Sequence, residues 1–144
     1  MPPHECDDAP LHAALHRMGF LVDTPDWRLT HDWDWSQYAL VVPKLVWNYQ
    51  KFPQEFDTWM NKVSSATKMI NSIETCKWSG HKSYLRDLEA AGLPIMPTVW
   101  IRKGEEAKVK QHATSFERRR AFMKPSVGST SQGCLLFTVG DEDE

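Results

Sequence analysis

The feature that most restricts this chain is an alternation along its first two thirds. Short, continuously apolar segments come between helical stripes that end at glycine or proline. Residues 10–19 set Leu11, Ala14, Leu15 and Met18 on one stripe, with acids before them, a proline near the first turn and Gly19 just past the end. Residues 20–23 read as a short strand, and residues 38–43 as a second, apolar throughout as buried parallel strands tend to be. An aromatic, acidic loop at residues 26–35 separates them.

Residues 53–63 place Phe56, Trp59, Met60 and Val63 at i, i+3, i+4 and i+7, with Gln54, Glu55, Asp57 and Lys62 outward. This predicts a second amphipathic helix. Residues 68–71 are strand-like, and residues 79–91 predict a third helix with Tyr84, Leu85 and Leu88 inward, stopped by Gly92 and Pro94. Residues 95–101 suit a strand whose Pro97 favours an edge or bulge. The charged stretch 104–120 is helix-permissive, residues 121–124 form a strand that delivers Lys124, and residues 134–139 form another. The expected architecture is α/β: a parallel-sheet domain over residues 1–92, followed over residues 93–144 by the start of a strand-rich lobe with an acidic tail.

A net charge of −2 offers no general field for nucleic acid or anionic lipid, so an anion has to be caught by a local cluster. No apolar run approaches the roughly 20 residues that span a bilayer, and the start lacks a basic end followed by an apolar stretch. These readings predict a cytoplasmic protein with no nucleic-acid or membrane partner. Cys6, Cys76 and Cys134 are odd in number and far apart, which argues for reduced thiols over a disulfide framework. The seven tryptophans fall mostly where a core or a domain seam accounts for them.

One decapeptide carries chemistry: Lys124-Pro125-Ser126-Val127-Gly128-Ser129-Thr130-Ser131-Gln132-Gly133. A nucleoside triphosphate needs backbone N–H groups turned to its oxygens, hydroxyls to supplement them, and a cation that stays charged at neutral pH. Gly128 and Gly133 permit tight turns, Ser126, Ser129, Thr130 and Ser131 supply hydroxyls, and Lys124 leaves a strand beside them. The loop is not a Walker A loop, since no Gly-Lys-Ser/Thr ends it. A dinucleotide fingerprint would require a helix after it. By composition alone a Gly/Ser loop joining two strands is more often only a loop.

Order and context add to this. Lys44-Leu45-Val46-Trp47-Asn48-Tyr49, the helix with Phe56 and Trp59, Trp78-Ser79-Gly80-His81-Lys82-Ser83-Tyr84-Leu85, Ala91-Gly92-Leu93-Pro94-Ile95-Met96-Pro97-Thr98 and the Lys124 decapeptide occur in the order that resembles the ATP-grasp superfamily. The likeness is to the branch holding glutathione-synthetase-like and D-cycloserine-ligase-like proteins, in its amino-terminal half, over residues 7–139. Lys44 and Asn48 stand where that pattern has an arginine and an aspartate.

The resemblance implies that Lys82 and Lys124 contact ATP while Ser126, Gly128, Ser129, Thr130, Ser131 and Gly133 close over its phosphates. Lysine suits both places as a compact charge that needs no bidentate geometry. Without the resemblance, Lys82 reads equally as a solvated lysine in a helix's first turn. The family forms an acyl-phosphate from a carboxylate and Mg²⁺-ATP, which an amine then attacks, so small carboxylate and amine substrates are implied, and a homodimer is compatible with the reading. The family's magnesium ligands and acceptor-binding arginine lie after the phosphate loop. The expectation is therefore nucleotide contact without catalysis, with no catalytic or metal-binding residue assigned in this stretch.

Two other classes remain open: an interaction module that keeps the fold, and a histidine-based metal protein. His12 and His16 lie one helical turn apart with His4 and Cys6 nearby, but the glutamate of an HExxH motif is missing. Cys76 with Lys77 and His81 is the one suggestive nucleophile cluster. Arg118-Arg119-Arg120 reads as a solvated helix end sooner than an RNA contact.

Overall fold

The computed structural model describes residues 8–105, 108–113 and 120–138. The chain divides into two compact units, Met1–Trp33 and Asp34–Glu144.

In the first unit, α1 (Ala9–Arg17) carries a proline in its first turn, as its sequence predicts. It ends in a Schellman motif. Gly19 takes a φ of +86°, its N–H donates to the His16 carbonyl at 3.0 Å, and the Phe20 N–H reaches back to Leu15 at 3.0 Å. The stripe itself is not buried, with Leu11 44% and Met18 72% exposed. A one-turn 3₁₀ helix at Trp27–Leu29 follows, capped by Asp26 Oδ1, which accepts from the Arg28 N–H at 3.0 Å. Trp27 and Thr30 are buried there, and the Thr30 hydroxyl donates to the Trp27 carbonyl at 2.6 Å.

The second unit is organised by α2 (Pro53–Ala66), whose Phe56, Met60 and Val63 are all buried. This is the face the periodicity predicts. Trp35, at the start of a 3₁₀ turn (Trp35–Gln37), meets Trp59 edge-on at 5.8 Å, and Phe56 stacks on Trp59 at 5.5 Å and tilts against Tyr49 at 5.4 Å. Two helices then replace the single one expected over residues 79–91: α3 (Ile73–Gly80) and α4 (Tyr84–Ala90). Helix α3 buries none of its residues, so no apolar stripe announces it. It is held from outside, by the Ser72 cap and by Lys77, which pairs with Asp57 at 3.1 Å and hydrogen-bonds Asn61 at 3.1 Å on α2. Helix α4 stops in a second Schellman motif at Gly92, where φ is +80° and the Leu93 N–H donates to Leu88 at 3.0 Å. A short α5 (Lys108–Ala113) occupies part of the charged stretch, while Arg118 and Arg119 lie outside the described residues.

Of the expected parallel layer, the described residues show one bridge. The Val41 N–H donates to Lys68 at 2.9 Å and the Ile70 N–H to Val41 at 3.0 Å, with buried Met69 opposite Val41. Residues 20–23 and 95–101 form no strand. Leu21 is 96% exposed, so an apolar run alone does not make a strand where no neighbouring backbone completes its ladder.

The one sheet among the described residues is antiparallel. Strands β1 (Arg120–Met123) and β2 (Leu135–Thr138) pair Arg120 with Thr138, Ala121 with Phe137, Phe122 with Leu136 and Met123 with Leu135. This ribbon holds the glycine and hydroxyl loop between its ends. No helix among the described residues is long and apolar enough to cross a membrane.

Candidate phosphate-binding cleft

Strand β1 ends at Met123, so Lys124 emerges beside Phe122 on the alternating face of the ribbon, with its ammonium 5.1 Å from the Phe122 ring centre. Pro125 directs the chain into the loop. A Cβ on Gly133 would stand 3.0 Å from Pro125 Cγ, and Gly133 has a φ of +68°, so only glycine lets the end of the loop close on its beginning.

At the tip, the Gln132 N–H donates to the Ser129 carbonyl at 3.1 Å, and Thr130 and Ser131 take φ values of 52° and 59°. Two successive positive φ values mark a turn of the I′ kind, occupied here by residues that seldom adopt it. The main-chain N–H groups of Gly128, Ser129, Thr130 and Ser131 donate to no main-chain carbonyl of the described residues, which leaves consecutive donors at the cleft.

Lys82 enters from elsewhere in the chain. It lies in the turn before α4, where Ser83 donates its N–H to His81 Nδ1 at 3.1 Å, and it grips the loop twice. The Lys82 N–H donates to the Ser126 carbonyl at 2.8 Å, and its Nζ donates to the Gly128 carbonyl at 3.1 Å. An ammonium has three donors, so this bond leaves two for an anion.

Lys82, Lys124, Gly128, Ser129, Thr130 and Ser131 thus line one cleft of about 180 Å³. Ser126 and Gly133 do not line it: Ser126 serves through its carbonyl, and Gly133 closes the loop. Phe122, Pro125, Gln132 and Cys134 complete the lining. Phe122 was legible in principle from its place two residues before Lys124 on a strand, whereas Gln132 and Cys134 carry no pattern signal. The lining contains two lysines and no carboxylate, a local positive site in a net acidic chain. The cleft is smaller than the roughly 300–1,000 Å³ of a pocket that encloses a whole ligand, which suits one wall of a phosphate site.

The turn at residues 47–50 is the partner that sequence reasoning missed. Ser129 Oγ donates to the Trp47 carbonyl at 3.2 Å, and the Gln50 and Gln132 amides approach to 3.5 Å, in each case across 82 residues of chain. No local pattern encodes such contacts.

Among the described residues the other candidate clusters form no metal-binding group. Burial pushes the Cys76 thiol up, so it is less a nucleophile than an ordinary cysteine. Lys77 is engaged with Asp57, and His81 Nδ1 is 2.7 Å from Ser83 Oγ. Among the described residues no three His, Cys, Asp or Glu side chains come together to hold a metal, and His4 and Cys6 of the histidine cluster lie outside them.

In sequence and structure the chain is similar to part of proteins described as D-cycloserine synthetases. Residues 1–71 match the family model described as D-cycloserine synthetase DcsG, N-terminal domain. The particular relatives are the cycloserine biosynthesis protein DcsG of Streptomyces lavendulae and a crystal structure of D-cycloserine synthetase DcsG. The chain is 30% identical to the first over 133 residues, which cover 90% of the chain and 44% of that protein. It superposes on the second with a TM-score of 0.76 at 29% identity, covering 91% of the chain and 45% of that structure. The chain therefore spans less than half the length of the relatives it matches.

Proposed function

We propose that this chain is the nucleotide-binding amino-terminal part of an ATP-grasp protein, related to ligases that join a carboxylate to an amine. One observation carries the reading: Lys82 and Lys124, far apart in sequence, converge with the hydroxyl loop on one cleft free of carboxylates. In this reading residues 1–92 are the domain that precedes the ATP-grasp lobe and residues 93–144 begin that lobe. Lys124 and the two remaining donors of Lys82 hold the phosphates, with the Ser129, Thr130 and Ser131 hydroxyls and the unpaired N–H groups closing on them.

The residues present fit a triphosphate. They supply no cluster of metal ligands among those described, so Mg²⁺ would arrive on the nucleotide. Bound ATP would supply a phosphoryl group to activate a carboxylate. This chain's contribution is to bind and orient the phosphate chain, and no catalytic role is assigned to the described residues.

Thermal unfolding with and without Mg-ATP tests this. At a ligand concentration a hundred times Kd, binding adds about 2.7 kcal/mol of stability. The expected result is a raised Tm for the wild-type chain and no rise for Lys124→Ala. An unchanged Tm at millimolar Mg-ATP sinks the nucleotide reading and favours an interaction module, to which the exposed Phe122, Leu135 and Leu136 of the ribbon would then belong.

A further inference from the structure

The Ser129 hydroxyl has a single proton, and in this structure that proton is committed to the Trp47 carbonyl at 3.2 Å. Lys82 can hold the Gly128 carbonyl and still offer two donors to an anion. Ser129 cannot do both. While tied to Trp47 it presents only lone pairs to the cleft, and lone pairs repel a phosphate oxygen. We propose that Ser129 is a positioning switch: its hydroxyl ties the phosphate loop to the turn at residues 47–50 when the cleft is empty of anion, and transfers to a phosphate oxygen when nucleotide binds, releasing that turn. This rests on the nucleotide reading above and adds a consequence to it, that occupancy of the cleft is reported to a segment 82 residues away in sequence.

The exchange is favourable for a physical reason. A hydrogen bond to a charged phosphate oxygen is stronger than one to a neutral carbonyl, by about a factor of two. A second contact between the loop and the turn, the Gln50–Gln132 approach, is at 3.5 Å, the outer limit of a hydrogen bond. The turn also has its own reporters. The Tyr49 N–H donates to Val46 at 3.3 Å, the Lys51 N–H to Asn48 at 3.0 Å, and the Phe52 N–H to Tyr49 at 3.0 Å, and all three amides slow their exchange with solvent only while the turn is held.

Amide hydrogen exchange on the full chain decides the matter, with Mg-ATP, magnesium tripolyphosphate and adenosine as separate additions. Mg-ATP and tripolyphosphate are expected to slow exchange in residues 126–134 and to speed it about twofold to tenfold at residues 49–52, the range that the loss of one hydrogen bond gives. Adenosine, which lacks phosphate, leaves residues 49–52 unchanged. In Ser129→Ala the turn exchanges at the faster rate before any addition and does not respond, while Ser129→Thr, which keeps a hydroxyl, responds as the wild type does. The amides of α2 serve as the folding control for each variant. If the loop is protected and residues 49–52 stay unchanged or slow down, the switch is wrong and nucleotide binding stands. If neither segment responds to Mg-ATP, both readings fall.

Discussion

Single residues show where this site stores constraint. Gly133 sits where a Cβ would press on Pro125 Cγ at 3.0 Å and where φ is +68°. Gly133→Ala is expected to destabilise the loop by about 1–2 kcal/mol through steric pressure and the left-handed backbone together, and to abolish the Mg-ATP-dependent rise in Tm. The reverse holds at Thr130, a β-branched residue with φ of 52°. Thr130→Gly should relieve strain and raise basal Tm while weakening nucleotide binding by loss of a hydroxyl, so calorimetry and titration move in opposite directions. At Asp34, hydrogen bonds from the Ser36 hydroxyl first, then the Ser36 N–H and the Gln37 amide, hold the carboxyl below its ordinary 3.8. A carboxylate with a depressed folded pKa stabilises above its unfolded pKa and loses that contribution as pH falls through the folded value. The turn at residues 34–37 should therefore stay ordered down to about pH 4 and loosen below it. In Asp34→Asn the Ser36 amide resonance should show no such titration.

At the scale of elements, helices follow from local rules and strands do not. Helix α2 could be read from the spacing of Phe56, Met60 and Val63, because a helix completes its hydrogen bonds within itself and needs only one apolar stripe to be placed. Val63 is fully buried, and Val63→Ala is expected to cost about 2 kcal/mol in denaturant unfolding. The stops at Gly19 and Gly92 were equally legible, since the Schellman turn needs a residue at ease with positive φ. Helix α3 was not, because Lys77, Asp57 and Asn61 hold it by contacts that span helices. The segments at residues 20–23 and 95–101 carry strand-like residues and form no strand, whereas residues 41 and 69 find each other for one bridge. A strand's hydrogen bonds lie between segments, so the partner decides. Among the described residues the β1–β2 ribbon has two strands, a marginal arrangement, and its amides should exchange faster than those of α2.

Across the whole molecule, the described surface exposes many large apolar side chains, Leu21 at 96% and Leu136 at 57% among them. Such exposure predicts binding of a hydrophobic dye by the native chain, reduced in Leu21→Ser and Leu136→Thr without loss of helical circular dichroism. The residue order alone specifies the α2 face, the glycine stops, the β1–loop–β2 sequence and the hydroxyl-rich chemistry of residues 124–133. Each of these depends on neighbours within a few positions along the chain. Tertiary contact alone decides that Lys82 clasps Ser126 and Gly128, that Ser129 finds the Trp47 carbonyl, and that Val41 and Met69 meet in a parallel bridge. Those contacts join groups tens of residues apart, and a hydrogen-bond donor carries no mark of which distant acceptor the folded chain will bring to it.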